Sequence, residues 1–322
     1  MKKIVLMALV AVFCVCSFVH ADEKIVIYTS QLEQDAQQTI EAFKKSNPGI
    51  DVEWTRTGTT ALMNKLRAEF AAGNPRPDVV LIADMVTMEG LKKEGRLMAY
   101  KAAPVKGYDQ NLYDKDGNFF STKIISTGII YNDKAPFKPK SIKDLERPEA
   151  KNLLIMPSPL YSGAAAVHMH TLTQDSALGW DVYKKLAENG AVNSKGNGGT
   201  FKAVASGEKL YGFCIDYLPI RNKLKGSPVT FIIPEEGASA VTEPVAILST
   251  AKNPSGAKKF VDFLLSDEGQ NLASAQGFMP AKAGITPPEG FPAKIKLMHL
   301  DTSKALAQDK KSKRKFVKVF GG

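Results

Sequence analysis

Apolar residues in the first part of this chain follow two periods in turn. The run KIVIYTS is rich in β-formers, and LEQDAQQTIEAFKKSNPG then places Ala36, Ile40 and Phe43 at helical spacing before a Pro-Gly stop. The order repeats, because IDVEWTRT and DVVLIA predict strands while TTALMNKLRAEFAAGNP and MVTMEGLKKEG predict helices. Strands that alternate with helices predict a parallel sheet covered by helices.

A second α/β unit follows a loop-rich passage from Ala99 to Phe120. It begins with TKIISTGIIYND and continues through LLIMPSP and KLYGFCID, and TEPVAILS then adds a strand before two helices in NPSGAKKFVDFLLSDEGQNLASAQG. Those two helices have no sheet of their own to cover, so we expect the chain to cross back to the first unit. The predicted fold is α/β with two lobes, each a mostly parallel sheet flanked by helices, and a ligand cleft between them. Domain I is predicted at 22–122 plus 240–322, and domain II at 123–239.

The N-terminal segment has the pattern of a secretory signal peptide. Residues 1–21 combine a basic start, an apolar run and a small-residue end, so cleavage is expected after Ala21 and the mature protein is expected in the periplasm. Acylation at Cys14 or Cys16 is an alternative, although large residues precede both cysteines. No later run is long and apolar enough to span a membrane.

Composition and cysteine usage narrow the picture further. The 322 residues are 44% hydrophobic and 24% charged, which is typical of a globular chain with room for two modest cores. Removal of residues 1–21 leaves Cys214 as the last thiol, which excludes an intramolecular disulfide and a thiolate metal cage. We expect Cys214 to be a buried small residue.

The positive charge is concentrated at the C-terminus. The formal net charge is +10, which falls to +8 when Lys2 and Lys3 are removed with the signal peptide, and the closing stretch DKKSKRKFVKVFGG holds six of the remaining basic residues, so the body of the protein is nearly neutral. A basic stretch can indicate nucleic-acid binding, but an exported protein would rarely meet nucleic acid. We therefore expect a solvated helix face and no nucleic-acid partner.

Three strand-to-helix junctions are rich in hydroxyls and glycine. Ligands of open α/β sheets bind at the carboxyl ends of strands, where helix N-termini offer free N–H groups and a positive dipole end. Taken alone, each of these residues is also explained as an ordinary helix cap or turn residue, so the prediction depends on the three junctions occurring together. The candidate ligand-binding residues are Ser30, Thr57, Gly58, Thr59, Thr60, Ser162 and Gly163.

Catalytic and metal motifs are not found in the sequence. His168 and His170 are two positions apart in a predicted helix, which points them to different sides. NSKGNGGT lacks the phosphate-loop pattern and is interpreted as a loop before a helix, and neither HExxH nor GxSxG occurs. We therefore expect a protein that is not an enzyme, with no cofactor and no catalytic metal. The alternative of an exported phosphate-ester enzyme lacks a nucleophile or metal cluster.

Several segments together resemble the substrate-binding proteins of ABC importers. IVIYTS, TGTTALMNKLRAE, PDVVLIAD, PSPLYSGAA, SGEKLYGFCIDY, KGSPVTFIIPEEG, EPVAIL and NPSGAKKFVDFLLSDEGQ occur in the family's order. The chain is most similar to the type II group that contains ferric-iron, aminoethylphosphonate and hexose-phosphate binders. This resemblance implies a two-lobed fold that closes by a hinge, a monomer, and delivery of a small anionic solute to a membrane permease with its ATPase.

The sequence after the strand KLYGFCI separates the branches of that group. Ferric-iron binders carry two adjacent tyrosines there, whereas this chain has Asp216 and Tyr217 followed by a leucine. The resemblance therefore implies an organophosphate or phosphonate, such as a sugar phosphate, with Asp216, Tyr217 and Glu236 as further ligand residues. Ferric iron bound through Tyr217 remains the alternative. Asp216 could instead cap the following helix, and Glu236 could lie in a solvated hairpin.

Overall fold

The computed structural model describes residues 23–291 and 295–321. The predicted signal peptide, with Cys14 and Cys16, lies outside the described residues. The strands are β1 (Glu23–Thr29), β2 (Ile50–Arg56), β3 (Val79–Leu81), β4 (Phe120–Ser121), β5 (Lys123–Asn132), β6 (Leu154–Pro157), β7 (Val192–Ser194), β8 (Tyr211–Ile215), β9 (Val229–Ile232), β10 (Ser239–Val241), β11 (Pro244–Ile247) and β12 (Met279–Pro280).

The helices of the described residues fall between and after these strands. They are α1 (Glu33–Ser46), α2 (Thr59–Ala71), α3 (Met85–Lys93), α4 (Gly163–Gln174), α5 (Gly179–Glu188), α6 (Asn197–Ser206), α7 (Tyr217–Lys223), α8 (Pro254–Leu265), α9 (Asp267–Ala275) and α10 (Thr302–Phe320). Short 3-10 turns occupy Gln110–Leu112, Ile142–Glu146 and Pro148–Ala150.

The first sheet has the strand order β2-β1-β3-β11-β4. Strand β1 alternates its side chains between two cores, as a strand covered on both faces must. Ile25 and Ile27 pack with Phe43 of α1 and Phe260 of α8, whereas Tyr28 packs on the other face with residues of α2 and α3. The helix α8 predicted to cross back therefore covers this sheet.

The second sheet has the order β10-β5-β8-β6-β7, and β9 and β12 also pair with the long strand β5. The predicted two-lobed α/β class is confirmed, but the sheets are mixed and not mostly parallel. Strands β1, β2 and β3 pair in parallel, as do β6, β7 and β8. The antiparallel pairs involve β5 and β11, because these strands lead away from the two passages between the lobes and enter their sheets against the direction of the others.

The chain passes between the sheets twice, at Thr122 and at Thr242–Glu243. The N–H groups of Thr122 and Lys123 donate to the Thr242 carbonyl at 3.1 and 3.3 Å, and Thr122 Oγ1 donates to the Glu243 carbonyl at 2.7 Å. The two passages are therefore bonded to each other, next to the domain boundaries predicted after residues 122 and 239.

The last helix contacts both lobes. Helix α10 packs on α3 of the first lobe and on α4 and α5 of the second. Its Phe316 meets Tyr183 at a ring-centroid distance of 5.5 Å, and Asp309 Oδ1 lies 3.0 Å from His170 Nε2. The sequence prediction assigned this helix to domain I alone, because its amphipathic pattern shows that one face is buried but not which elements cover it.

Candidate functional site

A cleft of about 750 Å³ lies between the two lobes. Both lobes and the second passage between them contribute to its walls. Eight of the ten ligand-binding residues predicted from the sequence line it: Ser30, Thr57, Gly58, Thr59, Thr60, Ser162, Gly163 and Tyr217.

Three helices begin at the wall of this cleft. Helix α2 begins after Gly58, α4 after Ser162 and α6 after Gly196, and the first residues of all three line the cleft. No side chain caps α2 or α6, so their first N–H groups are available to a ligand. Each N-terminus also carries a partial positive charge. Together they form a site for a ligand with negatively charged oxygens.

Hydroxyl groups in the cleft are held in place by hydrogen bonds that they accept. Ser30 Oγ accepts from Ala83 N at 3.0 Å, and Ser162 Oγ accepts from Ala165 N at 3.3 Å. Because a serine hydroxyl both donates and accepts, each O–H can still donate to a ligand oxygen.

The lobes touch across the cleft at two glycines. A Cβ on Gly163 of the second lobe would lie 2.9 Å from Thr59 Oγ1 and 2.9 Å from Asp84 Cβ of the first lobe. A Cβ on Gly58 would lie 3.1 Å from the carbonyl oxygen of Tyr161. The two walls can approach this closely only because neither position carries a side chain, and the cleft is in a closed arrangement.

Two cationic side chains that the sequence analysis did not select also line the cleft. Arg56 ends β2, and its Nε donates to the Gln31 carbonyl at 2.7 Å. Lys195 precedes α6 in the loop NSKGNGGT, on the opposite lobe. Neither side chain forms an ion pair with a carboxylate of the described residues. A signal was present for each, since both lie at the carboxyl end of a strand just before a helix.

Tyr217 lies at the inner side of the cleft within an aromatic and cationic cluster. Its ring centroid is 4.4 Å from that of Phe278, and the guanidinium of Arg221 lies over both rings. Arg221 of the second lobe also forms two bonds to Asp35 of the first, at 3.0 and 3.3 Å. Burial raises the pKa of the Tyr217 phenol well above its usual value. The neutral phenol is therefore the favoured form.

The structure does not place Asp216 in the cleft. Its side chain is buried, and Oδ2 accepts from Ser126 N at 2.8 Å and from Ser126 Oγ at 2.7 Å, while Oδ1 accepts from Tyr217 N at 2.7 Å. It thus joins the end of β8 to β5 and bonds the first N–H of α7. These contacts agree with the alternative interpretation of Asp216 as a helix cap, and not with the ligand role.

Glu236 also lies outside the residues that line the cleft. Its Oε1 accepts from Ser141 Oγ at 2.5 Å, and its Oε2 accepts from Ile142 N at 3.1 Å. The carboxylate therefore fixes the N-terminus of the 3-10 turn Ile142–Glu146. Both of its oxygens are used in the second lobe, away from the predicted ligand.

The remaining candidate side chains are internal. Cys214 is buried, and burial raises the pKa of its thiol. His168 Nδ1 lies 2.9 Å from Ser239 Oγ, and burial lowers its pKa to about 3, whereas His170 contacts Asp309. No group of three His, Cys, Asp or Glu side chains could hold a metal ion within residues 23–291 and 295–321. Nor does this part of the chain contain a helix that is long and apolar enough to cross a bilayer.

Replacement of Asp216 by alanine is expected to affect stability more than affinity. The substitution leaves three buried donors without an acceptor, which costs about 1–3 kcal/mol for each unpaired group before relaxation. Burial raises the folded-state pKa of Asp216 to about 6, above the value of about 3.9 for an unfolded chain. The folded protein therefore keeps this proton over pH values where the unfolded chain has released it. The stability that Asp216 contributes is present in full below the unfolded pKa and falls as the pH rises toward 6.

We expect Asp216→Ala to lower the free energy of unfolding by about 3 kcal/mol at pH 4 and by less at pH 7. Urea unfolding at both pH values would measure the change. Ser126→Ala is the matched control, since it removes only one of the three bonds. Equal stability of wild type and variant at pH 4, with a large loss of ligand affinity, would contradict this assignment.

Comparisons with known proteins agree with this architecture. A protein of Haemophilus influenzae described as uncharacterized is 27% identical over 315 residues, which cover 92% of this chain and 90% of that protein. The periplasmic binding protein AfuA from Actinobacillus pleuropneumoniae, with fructose-6-phosphate bound, superposes with a TM-score of 0.85 at 24% identity and covers 93% of this chain and 99% of its own. Iron-bound HitA from Pseudomonas aeruginosa gives a TM-score of 0.80 at 20% identity, with 91% and 99% covered.

The family itself is shown by the sequence. The family model for the bacterial extracellular solute-binding proteins matches residues 29–271, which is more than half of the chain. The resemblance to type II periplasmic binding proteins is confirmed by this match and by the shared fold. This chain therefore belongs to the bacterial extracellular solute-binding proteins and is the substrate-binding component of an ABC importer.

Proposed function

We propose that this protein captures a small organophosphate or phosphonate, such as a sugar phosphate, in the cleft between its lobes. Membership of the family implies a periplasmic protein that delivers its solute to a membrane permease with a separate ATPase. The observation that carries the choice of ligand is the meeting of three helix N-termini and two cations, Arg56 and Lys195, around one cleft.

The anion would be held from both lobes. Helix α2 and Arg56 belong to the first lobe, whereas α4, α6 and Lys195 belong to the second. Hydrogen bonds to ionised oxygens are shorter and stronger than neutral ones. An anion bonded to both walls stabilises the closed form, because it cannot make both sets of bonds when the lobes are apart.

The size and composition of the cleft support a ligand larger than a bare oxyanion. A volume of about 750 Å³ falls in the range of sites for organic molecules, roughly 300–1,000 Å³. Asn64, Asn197 and Glu243 line it and could bond hydroxyl or amino groups, while Leu160 and Ile215 offer apolar contact. The fructose-6-phosphate bound by AfuA is a ligand of this kind. Asp216 and Glu236 are not among these polar groups, because both carboxylates are bonded elsewhere.

Ferric iron is a second candidate because two tyrosines, Tyr161 and Tyr217, line the cleft. Phenolate oxygens are hard ligands, and HitA of the same fold binds iron. One observation favours the organophosphate. The free N–H groups and cations of the cleft would repel a metal ion.

The released solute tests the proposal directly. The purified protein is expected to be colourless and, on denaturation, to release a phosphorylated or phosphonate compound that mass spectrometry identifies. A visible tyrosinate-iron band would instead support the second candidate. Turnover of a generic phosphate ester would show an exported enzyme and contradict both.

A charge variant tests the site that the proposal uses. Arg56→Gln with Lys195→Gln is expected to lower the affinity for the released solute, or for a hexose phosphate, by at least about tenfold per residue, because bonds to charged groups contribute about 1.5–3 kcal/mol. Lys101→Gln with Lys225→Gln removes the same charge from exposed positions outside the cleft and is the control. Equal calorimetric affinities for the two double variants would exclude Arg56 and Lys195 as ligand contacts.

A further inference from the structure

Helix α10 presents six cationic side chains to solvent. They are Lys304, Lys310, Lys311, Arg314, Lys315 and Lys318, here called the basic face. Positions 304, 311, 315 and 318 fall on one side of a helix with 3.6 residues per turn. Ala305, Ser312 and Phe316 lie roughly 110° around the helix from these positions and are buried against the body of the protein, so Lys310 and Arg314 point most directly away from it. The basic face is therefore fixed in direction and cannot turn inward.

The charges of the basic face are not neutralised by the rest of the described chain. None of the six side chains forms an ion pair with a carboxylate of residues 23–291 or 295–321. Other cations do find such partners, as Lys92 does with Asp114 and Asp116. The acidic residue within the helix, Asp309, points to the buried side, where it contacts His170 and Lys313. A row of uncompensated cations about 21 Å long, at 1.5 Å per residue, remains on the surface.

We propose that the basic face binds the anionic phospholipid surface of the membrane that carries the permease. Clusters of four to eight Lys or Arg residues on a helix are attracted to anionic headgroups, and the attraction adds with each cation. Such binding would hold the protein close to its permease whether or not a solute is bound. This inference goes beyond the proposed ligand and does not depend on it.

The composition of the basic face favours lipid headgroups over a protein partner. The cores of protein interfaces are enriched in aromatic residues and depleted in lysine. The basic face is mostly lysine, and the exposed large apolar residues of the described chain, Tyr161, Val192, Leu224 and Leu297, all lie outside α10. Lysine side chains on long flexible stems suit a fluid surface with many equivalent anions. The apolar side of α10 is already buried, so the helix would lie on the bilayer without inserting.

The binding can be tested with vesicles and one quadruple variant. Lys304, Lys310, Lys311 and Lys318 are each replaced by glutamine, which retains helix propensity and spares Lys315, whose ammonium lies 4.6 Å from the Trp180 ring centroid. The control replaces Lys101, Lys106, Lys115 and Lys225, four exposed lysines outside α10, and changes the net charge equally. Circular dichroism and the melting temperature show that both variants fold.

We expect the wild type to sediment with vesicles of about one-third phosphatidylglycerol in phosphatidylcholine at low salt, and not with phosphatidylcholine alone. The α10 variant should bind at least about tenfold more weakly, and the control should bind like the wild type. Absence of wild-type binding to the anionic vesicles would overturn the proposal, as would equal losses in both variants. The proposal would also be overturned if the wild type did not bind the vesicles but bound the permease in neutral nanodiscs, and if only the α10 substitutions abolished that binding. The basic face would then contact a protein.

Discussion

Valine in place of Gly163 is expected to lower ligand affinity by about 100-fold and to leave the melting temperature of the ligand-free protein nearly unchanged. The reason is the contact between lobes, where even a Cβ would lie 2.9 Å from Thr59 Oγ1 and from Asp84 Cβ. Thr59 and Asp84 belong to the first lobe and Gly163 to the second. The clash therefore exists only when the cleft is closed, and opening relieves it without unfolding either lobe.

The size of the effect follows from the closing equilibrium. Overpacking a tight contact costs about 1–3 kcal/mol, and a cost of about 3 kcal/mol corresponds to roughly 100-fold in an equilibrium constant. Apparent affinity falls in proportion to the population of the closed state that can bind. Calorimetry with the released solute measures this loss. Small-angle scattering shows whether the variant stays open at solute concentrations that saturate the wild type.

Gly198→Ala provides the control within the same cleft. A Cβ at Gly198 meets no atom within 4 Å, and this glycine also stands in the first turn of a helix that lines the cleft. We expect a change in affinity well below that of Gly163→Val. If the two variants bound equally well, the approach of the lobes at Gly163 would have no role in ligand capture.

The predicted residues that line the cleft share a local signal. Ser30, Gly58 and Ser162 each lie between the end of a strand and the start of the next helix, and in an α/β fold this position alone places a residue at the mouth of the sheet. Lys195 and Arg56 satisfy the same rule. The sequence prediction did not include them, because it was based on hydroxyls and glycine and because NSKGNGGT lacks the GxxxxGK(S/T) pattern of a phosphate loop.

The residues that fell elsewhere depend on partners distant in the chain. Asp216 bonds to Ser126, 90 positions away, because β5 pairs with β8 in a register that places Thr127 beside Ile215. Glu236 bonds to Ser141, 95 positions away. No periodicity in either segment reports such pairings, so the sequence alone could not distinguish a structural carboxylate from one that faces the ligand. For the same reason, the sequence alone does not indicate which lobes α10 contacts.

Removal of the charge on Lys123 is expected to destabilise the protein by about 3–5 kcal/mol. Lys123 Nζ lies 2.7 Å from Glu243 Oε2, and the two side chains are only 3% and 5% exposed. Gln31 Nε2 of the first lobe donates to the same carboxylate oxygen at 3.0 Å. In Lys123→Met the Glu243 carboxylate would stay buried with only this amide as its partner, and an uncompensated buried charge is costly.

The Lys123–Glu243 pair lies where the chain passes between the two lobes. Lys123 begins β5 directly after the first passage between the lobes, and Glu243 lies in the second passage with a positive φ of 42°. A non-glycine residue in that region is strained and persists only where its surroundings hold it. Because Glu243 also lines the cleft, the Lys123–Glu243 pair connects the two passages between the lobes to the wall of the cleft.

Urea unfolding of a double-mutant cycle separates the pair from its surroundings. Lys123→Met should lower the free energy of unfolding by about 3–5 kcal/mol, and Lys123→Met combined with Glu243→Gln should recover much of that loss, because no buried charge then remains. Arg147→Gln, which breaks an exposed pair with Glu149, is the control and should change stability by less than about 1 kcal/mol. A double variant as unstable as Lys123→Met would show that the loss arises from the contact of Lys123 with the Phe278 ring, 3.9 Å away, and not from the unpaired carboxylate.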